Sequence, residues 1–391
     1  MVRDVDVARW RLRSQHLAGP HAASAGEAVG SLLAVQAENP GQAAWAVAAR
    51  TKRPDRGELA GLLDGGAVLR THVLRPTWHF VLADDLGWLL DLTGPRVRRV
   101  TGLQLRNAHG LDERAVDRAV GAVEEALASR GELTRGQLAD ELRERGIPAG
   151  RQETGQESRQ GSGQGTAKGS GQGTGPGSGQ GTGQLAMILL AHAELLGVIC
   201  SGRTVGGEHT YALMSQRVPA PRRLGRAEAL AELAMRYFTG HGPATERDLA
   251  YWATLTVTDV RTGLRQVQDR LDSFEHDGRT FWHAPGDPPA GPQQPAGHLL
   301  QILDETYRGY QDSRWVLDAA GQVPRTRESA IGMALVDAQL LASMRRTITT
   351  DQVRFDLRPY RAPTPAELEA LELAAGRYGR YLGLEPRISL P

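Results

Sequence analysis

At 391 residues, with 40% hydrophobic and 23% charged side chains, the chain has the length for roughly two to four compact units and the make-up of a globular rather than a disordered protein. A formal net charge of +1, from 46 Lys+Arg against 45 Asp+Glu, excludes whole-molecule attraction to a polyanion, so any affinity for nucleic acid has to come from local patches. The single cysteine, Cys200, excludes an internal disulfide and a cysteine-rich metal site, and reads as a small buried hydrophobe in a reducing compartment.

The opening MVRDVDVARWRLRSQHL mixes charged with apolar residues and lacks the apolar run of a secretory signal, so a cytoplasmic protein is expected. Apolar residues recur at helical spacing over 28–35, 59–63, 84–92, 113–130, 134–145, 227–239 and 258–271, which makes the chain mainly α with some β, an α+β protein. Asp112, Thr134 and Thr245 precede three of these helical stretches as caps. Between 150 and 184 GSGQGT recurs, with almost no apolar residue to offset the entropy of ordering, so the tract reads as a disordered insert or linker. The apolar run 185–200 is interrupted by His192 and Glu194 and reads as a buried helix rather than a bilayer span.

Two stretches share a wider pattern. AVEEALASRGELTRGQLADEL and LAELAMRYFTGHGPATERDLAYW each place a Gly-containing turn and a capping Thr between two helices, the layout of a helix-turn-helix. Each is followed by a Gly-tipped hairpin pattern, VICSGRTVGGEHTYALM and RLDSFEHDGRTFWHA, which together predict winged helices. The first third offers a looser version, with HVLRPTWHFVL as its strand-like part. Strands are expected at 299–303, 334–341 and 353–357, with a closing helix at 365–382, set off by the Pro/Gly-rich stretch at 284–297. The predicted units are therefore 1–111, 112–216, 217–290 and a β-rich 291–391.

No phosphate-binding glycine loop, HExxH zinc motif or GxSxG elbow is present. Three stretches stand out instead, at 35–50, 74–86 and 299–314. Gln36 and Glu38 flank Ala37 at an expected helix end before Asn39-Pro40, where they either share a cleft or are solvated. Thr77 and His79 alternate with Trp78 and Phe80 as on a strand, which leaves His79 as a pocket residue or as a satisfied structural histidine. Two acid-free windows carry arginines, Arg96, Arg98, Arg99 and Arg106 in one and Arg217, Arg222, Arg223 and Arg226 in the other; they suit phosphate contacts or a solvated face.

In order and content these segments resemble the AlkZ-type winged-helix DNA glycosylase family. AVQAENPGQAAWAVAAR is similar to its opening Gln-x-Gln segment, LRPTWHFVLADDL to its Arg-x-Thr-x-His segment, YFTGHGPATERDLAYWATL to its third winged helix, and LLQILDETYRGYQDSR with ALVDAQLLASMRRTI to its carboxy-terminal β-domain. The resemblance implies three tandem winged helices in a curved stack, a small β-barrel-like domain, and a basic channel for DNA. It makes Gln36 and Glu38 the catalytic pair, with Glu38 replacing the family's second Gln, and Arg75, Thr77 and His79 pocket support. Further departures are Pro76 for a Gly and Met344 for a Trp.

The implied activity is that of a monofunctional hydrolase of base excision repair, removing N7- or N3-alkylated purines or interstrand-crosslinked bases from duplex DNA. No metal or other cofactor, no membrane and a monomeric state are expected. An alkylated purine is cationic and leaves readily, so the enzyme has mainly to steady the resulting oxocarbenium-like sugar and activate a water. On this reading Gln36 holds the water or sugar and Glu38 acts as general base and electrostatic stabiliser. The alternative is a winged-helix DNA-binding protein or regulator without catalysis, with a protein-binding scaffold as a weaker third reading.

Overall fold

The computed structural model describes residues 2–148, 181–324 and 332–391, in which helices and strands are mixed throughout. It divides into two compact units, one of residues up to Val97 together with Ala220–Pro391, the other Arg98–Pro219. Most of the repeat tract, 150–180, lies outside the described residues, and its last positions open a helix instead of continuing as linker.

The first unit begins with α1 (Asp4–Ser14), α2 (Ala25–Leu32), β1 (Ala34–Gln36), α3 (Pro40–Ala48), α4 (Arg56–Gly65), β2 (Val68–His72) and β3 (Trp78–Leu82). The helix expected over 28–35 is corrected here: α2, capped by the Ser24 side chain, stops at Leu32, Leu33 takes a φ of 65°, and a strand follows. An Ala/Val/Leu run fits either period, and pairing with β3 decides the matter. The three strands lie in the order β1-β3-β2, all antiparallel. Asn39 accepts from the Gln42 amide and Pro40 sits at the first turn, so α3 starts directly after the Gln36-Ala37-Glu38 segment.

From β3 the chain enters α5 (Ala83–His109), far longer than the expected 84–92 because Pro95 is carried inside the helix. In the second unit follow α6 (Glu113–Arg130), capped by Asp112, β4 (Leu133–Thr134), and α7 (Arg135–Glu144), held by a reciprocal Thr134/Gln137 capping box. Then come α8 (Gly181–Leu195), β5 (Ile199–Ser201), β6 (Thr210–Leu213) and the short α9 (Met214–Arg217), with sheet order β4-β6-β5. The helix read through to residue 200 therefore ends at Leu195, and Cys200 sits buried on β5, its thiol pushed up to about 12, chiefly by burial.

The first unit resumes with α10 (Arg226–Gly240), α11 (Glu246–Trp252), capped by Thr245, and α12 (Val257–Leu264), which is shorter than the expected 258–271. A hairpin of β7 (Asp272–His276) and β8 (Arg279–His283) turns through Asp277 and Gly278, both at positive φ. The remainder contains β9 (Gly297–Leu300), α13 (Glu305–Arg308), α14 (Arg314–Leu317), β10 (Met333–Val336), β11 (Gln339–Ile348), β12 (Gln352–Pro359), α15 (Pro365–Leu382) and β13 (Glu385–Ser389). The single strand expected at 334–341 is two, because the chain reverses at Asp337 and Ala338 with φ of 50° and 64°. Five strands run in the order β13-β12-β11-β10-β9, and α15 buries Ala370, Leu371, Ala375 and Tyr378.

Val7, Leu12 and Trp45 share one apolar core with Phe281, Leu335, Phe355 and Tyr378, so the sequence segments 1–111, 217–290 and 291–391 all contribute to a common interior. Among the described residues no helix is long and apolar enough to cross a membrane, and no group of His, Cys, Asp or Glu side chains is arranged to hold a metal ion.

Candidate active site

Antiparallel pairing places Gln36 opposite His79 and His79 opposite Thr71, so these three residues form one row across the β1-β3-β2 sheet. Gln36 is 6% exposed, and Thr71 and His79 are fully buried. Arg75, in the bend between β2 and β3, closes over the row. One Nη2–H reaches the Gln36 Oε1 at 3.1 Å and stands 3.5 Å from the His79 Nε2, while Nη1 donates to the Arg308 carbonyl at 3.1 Å. Arginine can only donate, so it fixes the Gln36 carboxamide with its oxygen inward. The side-chain NH2 of Gln36 has no hydrogen bond among the described residues and keeps its donor capacity free.

The backbone of the same residue is held from far along the chain. Glu305, at the start of α13 and fully buried, accepts the Gln36 N–H through Oε1 at 2.9 Å and the Trp252 indole N–H through Oε2 at 2.9 Å, with the His241 Nε2 at 3.4 Å. Burial pushes this carboxyl up, but the His241 hydrogen bond, the Arg75 charge and the Gln36 amide outweigh it and hold the group at about 2. Glu305 is thus a carboxylate at neutral pH. Beneath it, Arg50 bridges both oxygens of Asp304 at 2.7 and 3.0 Å, and Asp304 in turn caps α13 through the Thr306 amide. The fully buried Arg50–Asp304 pair anchors the turn that carries Glu305.

Glu38 is half-buried. One carboxylate oxygen accepts the Trp78 amide at 3.1 Å, and Arg70, stacked 4.0 Å from the Trp78 ring, donates to the Ala37 carbonyl at 2.9 Å and to the Glu38 carbonyl at 3.4 Å. The segment after β1 is therefore fixed by backbone clamps, with the carboxylate tied at one oxygen. The Thr77 and Thr71 hydroxyls and the Arg75 Nε are buried without hydrogen-bond partners among the described residues, polar capacity that a bound water or ligand atom would satisfy.

Burial, with the Arg75 charge second, drives His79 down to about 3, so the imidazole is neutral at physiological pH. A histidine depressed in the folded state contributes stability that is complete above its free value of about 6.5 and lost as pH falls towards 3. Unfolding of the wild type across pH 6.5 to 4 should accordingly be steeper than that of His79→Gln by up to about 1.4 kcal/mol per pH unit, the slope of one proton. Parallel slopes in urea titrations would contradict this.

The arginines distribute differently. Arg96, Arg99 and Arg106 are exposed on α5 with no ion-pair partner among the described residues, and their spacing puts them on one helical face. Arg98 lies off that face and donates to the Leu195 carbonyl at 3.4 Å. Arg222 and Arg223 are exposed but paired, with Glu232 at 3.0 Å and Asp91 at 2.6 Å. The row thus brings together Gln36, Arg75 and His79, with Glu38 two residues on and Thr77 at the edge of the bend. Glu305, His241 and Trp252 are contributions that no local motif announced. Pro76 is exposed in the bend, and Met344 is buried on β11.

A family model described as DNA glycosylase AlkZ-like matches residues 29–381. The solved structure of Streptomyces sahachiroi DNA glycosylase AlkZ is similar with a TM-score of 0.72 at 20% identity, covering 100% of each chain. No curated protein matches.

Proposed function

Since the chain belongs to the AlkZ-like DNA glycosylase family and is a DNA glycosylase, we propose that it hydrolyses the N-glycosidic bond of N7- or N3-alkylated purines or crosslinked bases in duplex DNA, with Gln36 and Glu38 as its catalytic pair. The observation that carries this reading is the clamped carboxamide. Gln36 is fixed at its oxygen by Arg75 and at its backbone by Glu305, leaving a pre-aimed N–H donor two residues from a carboxylate.

A cationic alkylpurine departs with little acid assistance. The task left to the protein is to stabilise positive charge on the sugar and to orient and deprotonate water, which Glu38 does through the oxygen not used by the Trp78 amide. Gln36 donates to that water or to a sugar oxygen. Neutral His79 keeps the pocket from adding positive charge beside a cationic transition state, and Arg75 has its charge balanced by Glu305. No step calls for a metal or organic cofactor.

On this reading the helix-and-hairpin units are winged helices and the five-stranded sheet with α15 is the small barrel-like domain of the family, acting as a monomer on DNA. Phosphate contacts fall to Arg96, Arg98, Arg99, Arg106, Arg222 and Arg223. Arg99 and Arg106 need give up no carboxylate to make them, whereas Arg222 and Arg223 do. Replacing Arg99 and Arg106 by alanine should weaken duplex binding evenly across sequences and flatten the dependence of log K on log salt by about one for each phosphate that is no longer neutralised.

Incubation with duplex DNA carrying a single N7-methylguanine, followed by hot alkali, should cut the strand at the lesion. Intact strands after saturating binding, with this lesion and with an N7-linked interstrand crosslink, would overturn the proposed substrate class.

A further inference from the structure

A cavity of about 520 Å³ in the first unit contains none of the residues of the Gln36 row. Its volume suits a small organic molecule. Leu12 and Leu17 form one wall, Ala370, Leu373 and Ala374 of α15 a second, and the prolines of the 284–297 stretch a third. Leu373 is 69% exposed and lines this face, where it offers apolar surface to an occupant. The Pro/Gly-rich stretch, which the sequence offers only as a boundary, here supplies a wall whose prolines have fixed backbone φ and no N–H to satisfy.

The polar lining is one-sided in charge. Arg9, Arg13 and Arg377 face the cavity with His21 and His298, against the single carboxylate of Asp337, one oxygen of which already accepts the Ala296 amide at 3.0 Å. Arg377 is half-buried and, among the described residues, donates only to the Thr51 carbonyl, at 2.6 Å, with no carboxylate among its partners there. Arg9 pairs with Asp6 at 3.6 Å, and its Nε is buried without a hydrogen-bond partner among the described residues. Burial lowers Arg377, lowers His21 and holds His298 at about 4, and in each a neighbouring arginine adds to the effect. A half-buried guanidinium such as that of Arg377, without a counter-charge among the described residues, is costly, and an anion in the cavity would relieve that cost.

We propose that this cavity binds a small organic monoanion, a carboxylate or sulfonate with an apolar body, its head group on Arg9 and Arg377 and its body against Leu12, Leu373 and the prolines. The site is separate from base excision and stands whether or not the Gln36 reading holds.

The test is isothermal titration of the full-length protein with octanoate and with octan-1-ol, which has the same body and no charge. Octanoate should bind at one site per chain and octanol at least about tenfold more weakly. Arg9→Met and Arg377→Met should each cost octanoate at least about tenfold in affinity, the loss of a charge-assisted hydrogen bond. Ala374→Trp, which fills the cavity from its half-exposed wall, should abolish binding while leaving the melting temperature unchanged, and so covers the case in which an arginine variant fails to fold. Absence of octanoate binding, equal affinity for octanol, or indifference to all three substitutions would overturn the proposal. So would loss of duplex affinity in the arginine variants with no octanoate bound, which would assign these side chains to DNA phosphate.

Discussion

Glu38→Ala should release N7-methylguanine from duplex DNA about 10²- to 10³-fold more slowly than the wild type, with duplex affinity little altered. The alanine removes the water-activating oxygen and also the acceptor for the Trp78 amide, so Glu38→Gln is the sharper probe: it keeps an acceptor for that amide but cannot take a proton. Glu38→Gln should restore the contact with the Trp78 amide and only part of the rate, and full recovery would reassign Glu38 to orientation alone. Gln36→Ala should fall in the same range, because on the proposed reading its fixed carboxamide holds in place the water that Glu38 deprotonates. Single-turnover rates with enzyme in excess measure both, and wild-type rates in both alanine variants would remove this pair from the chemistry.

The second large effect is on stability. Arg50→Met should lower the free energy of unfolding by about 3–5 kcal/mol, because Asp304 would remain buried with its two guanidinium hydrogen bonds gone. The double variant Arg50→Met with Asp304→Asn should recover much of the loss, since the uncompensated charge outweighs the missing hydrogen bonds themselves. Urea denaturation of the three proteins decides it, and equal losses in the single and double variants would refute this account. Activity should fall alongside stability, because Asp304 caps the short helix that presents Glu305.

Where local periodicity and capping agree, the sequence is legible to the residue. The helix Glu113–Arg130 begins after its Asp112 cap as read, the helix Pro365–Leu382 has its expected bounds, and the hairpin 272–283 turns at its Asp-Gly pair. Errors fall where tertiary pairing overrides a local pattern. The Ala/Val/Leu run before Gln36 has no intrinsic period, and only pairing with β3 makes its end a strand. The reading of 84–92 stops short of Gly94-Pro95, yet the helix continues past them with Val97 and Leu105 buried further along.

The candidate site divides along the same line. Gln36, Glu38, Arg75 and His79 lie within two short segments whose resemblance to a family is visible. Glu305 is a glutamate between an aspartate and a threonine, in a stretch that stands out, but nothing in its neighbourhood specifies an acceptor for an amide 269 positions away. His241 and Trp252 act through Glu305 and are equally silent in sequence.

The reach of Glu305 back to the amide of Gln36 has a bearing on how the enzyme comes into being. Both members of the proposed catalytic pair leave the ribosome early, but the acceptor that steadies the Gln36 strand emerges only after three-quarters of the chain has been made. A nascent or proteolytically shortened polypeptide ending before α13 would carry Gln36 and Glu38 without the carboxylate that braces the Gln36 backbone.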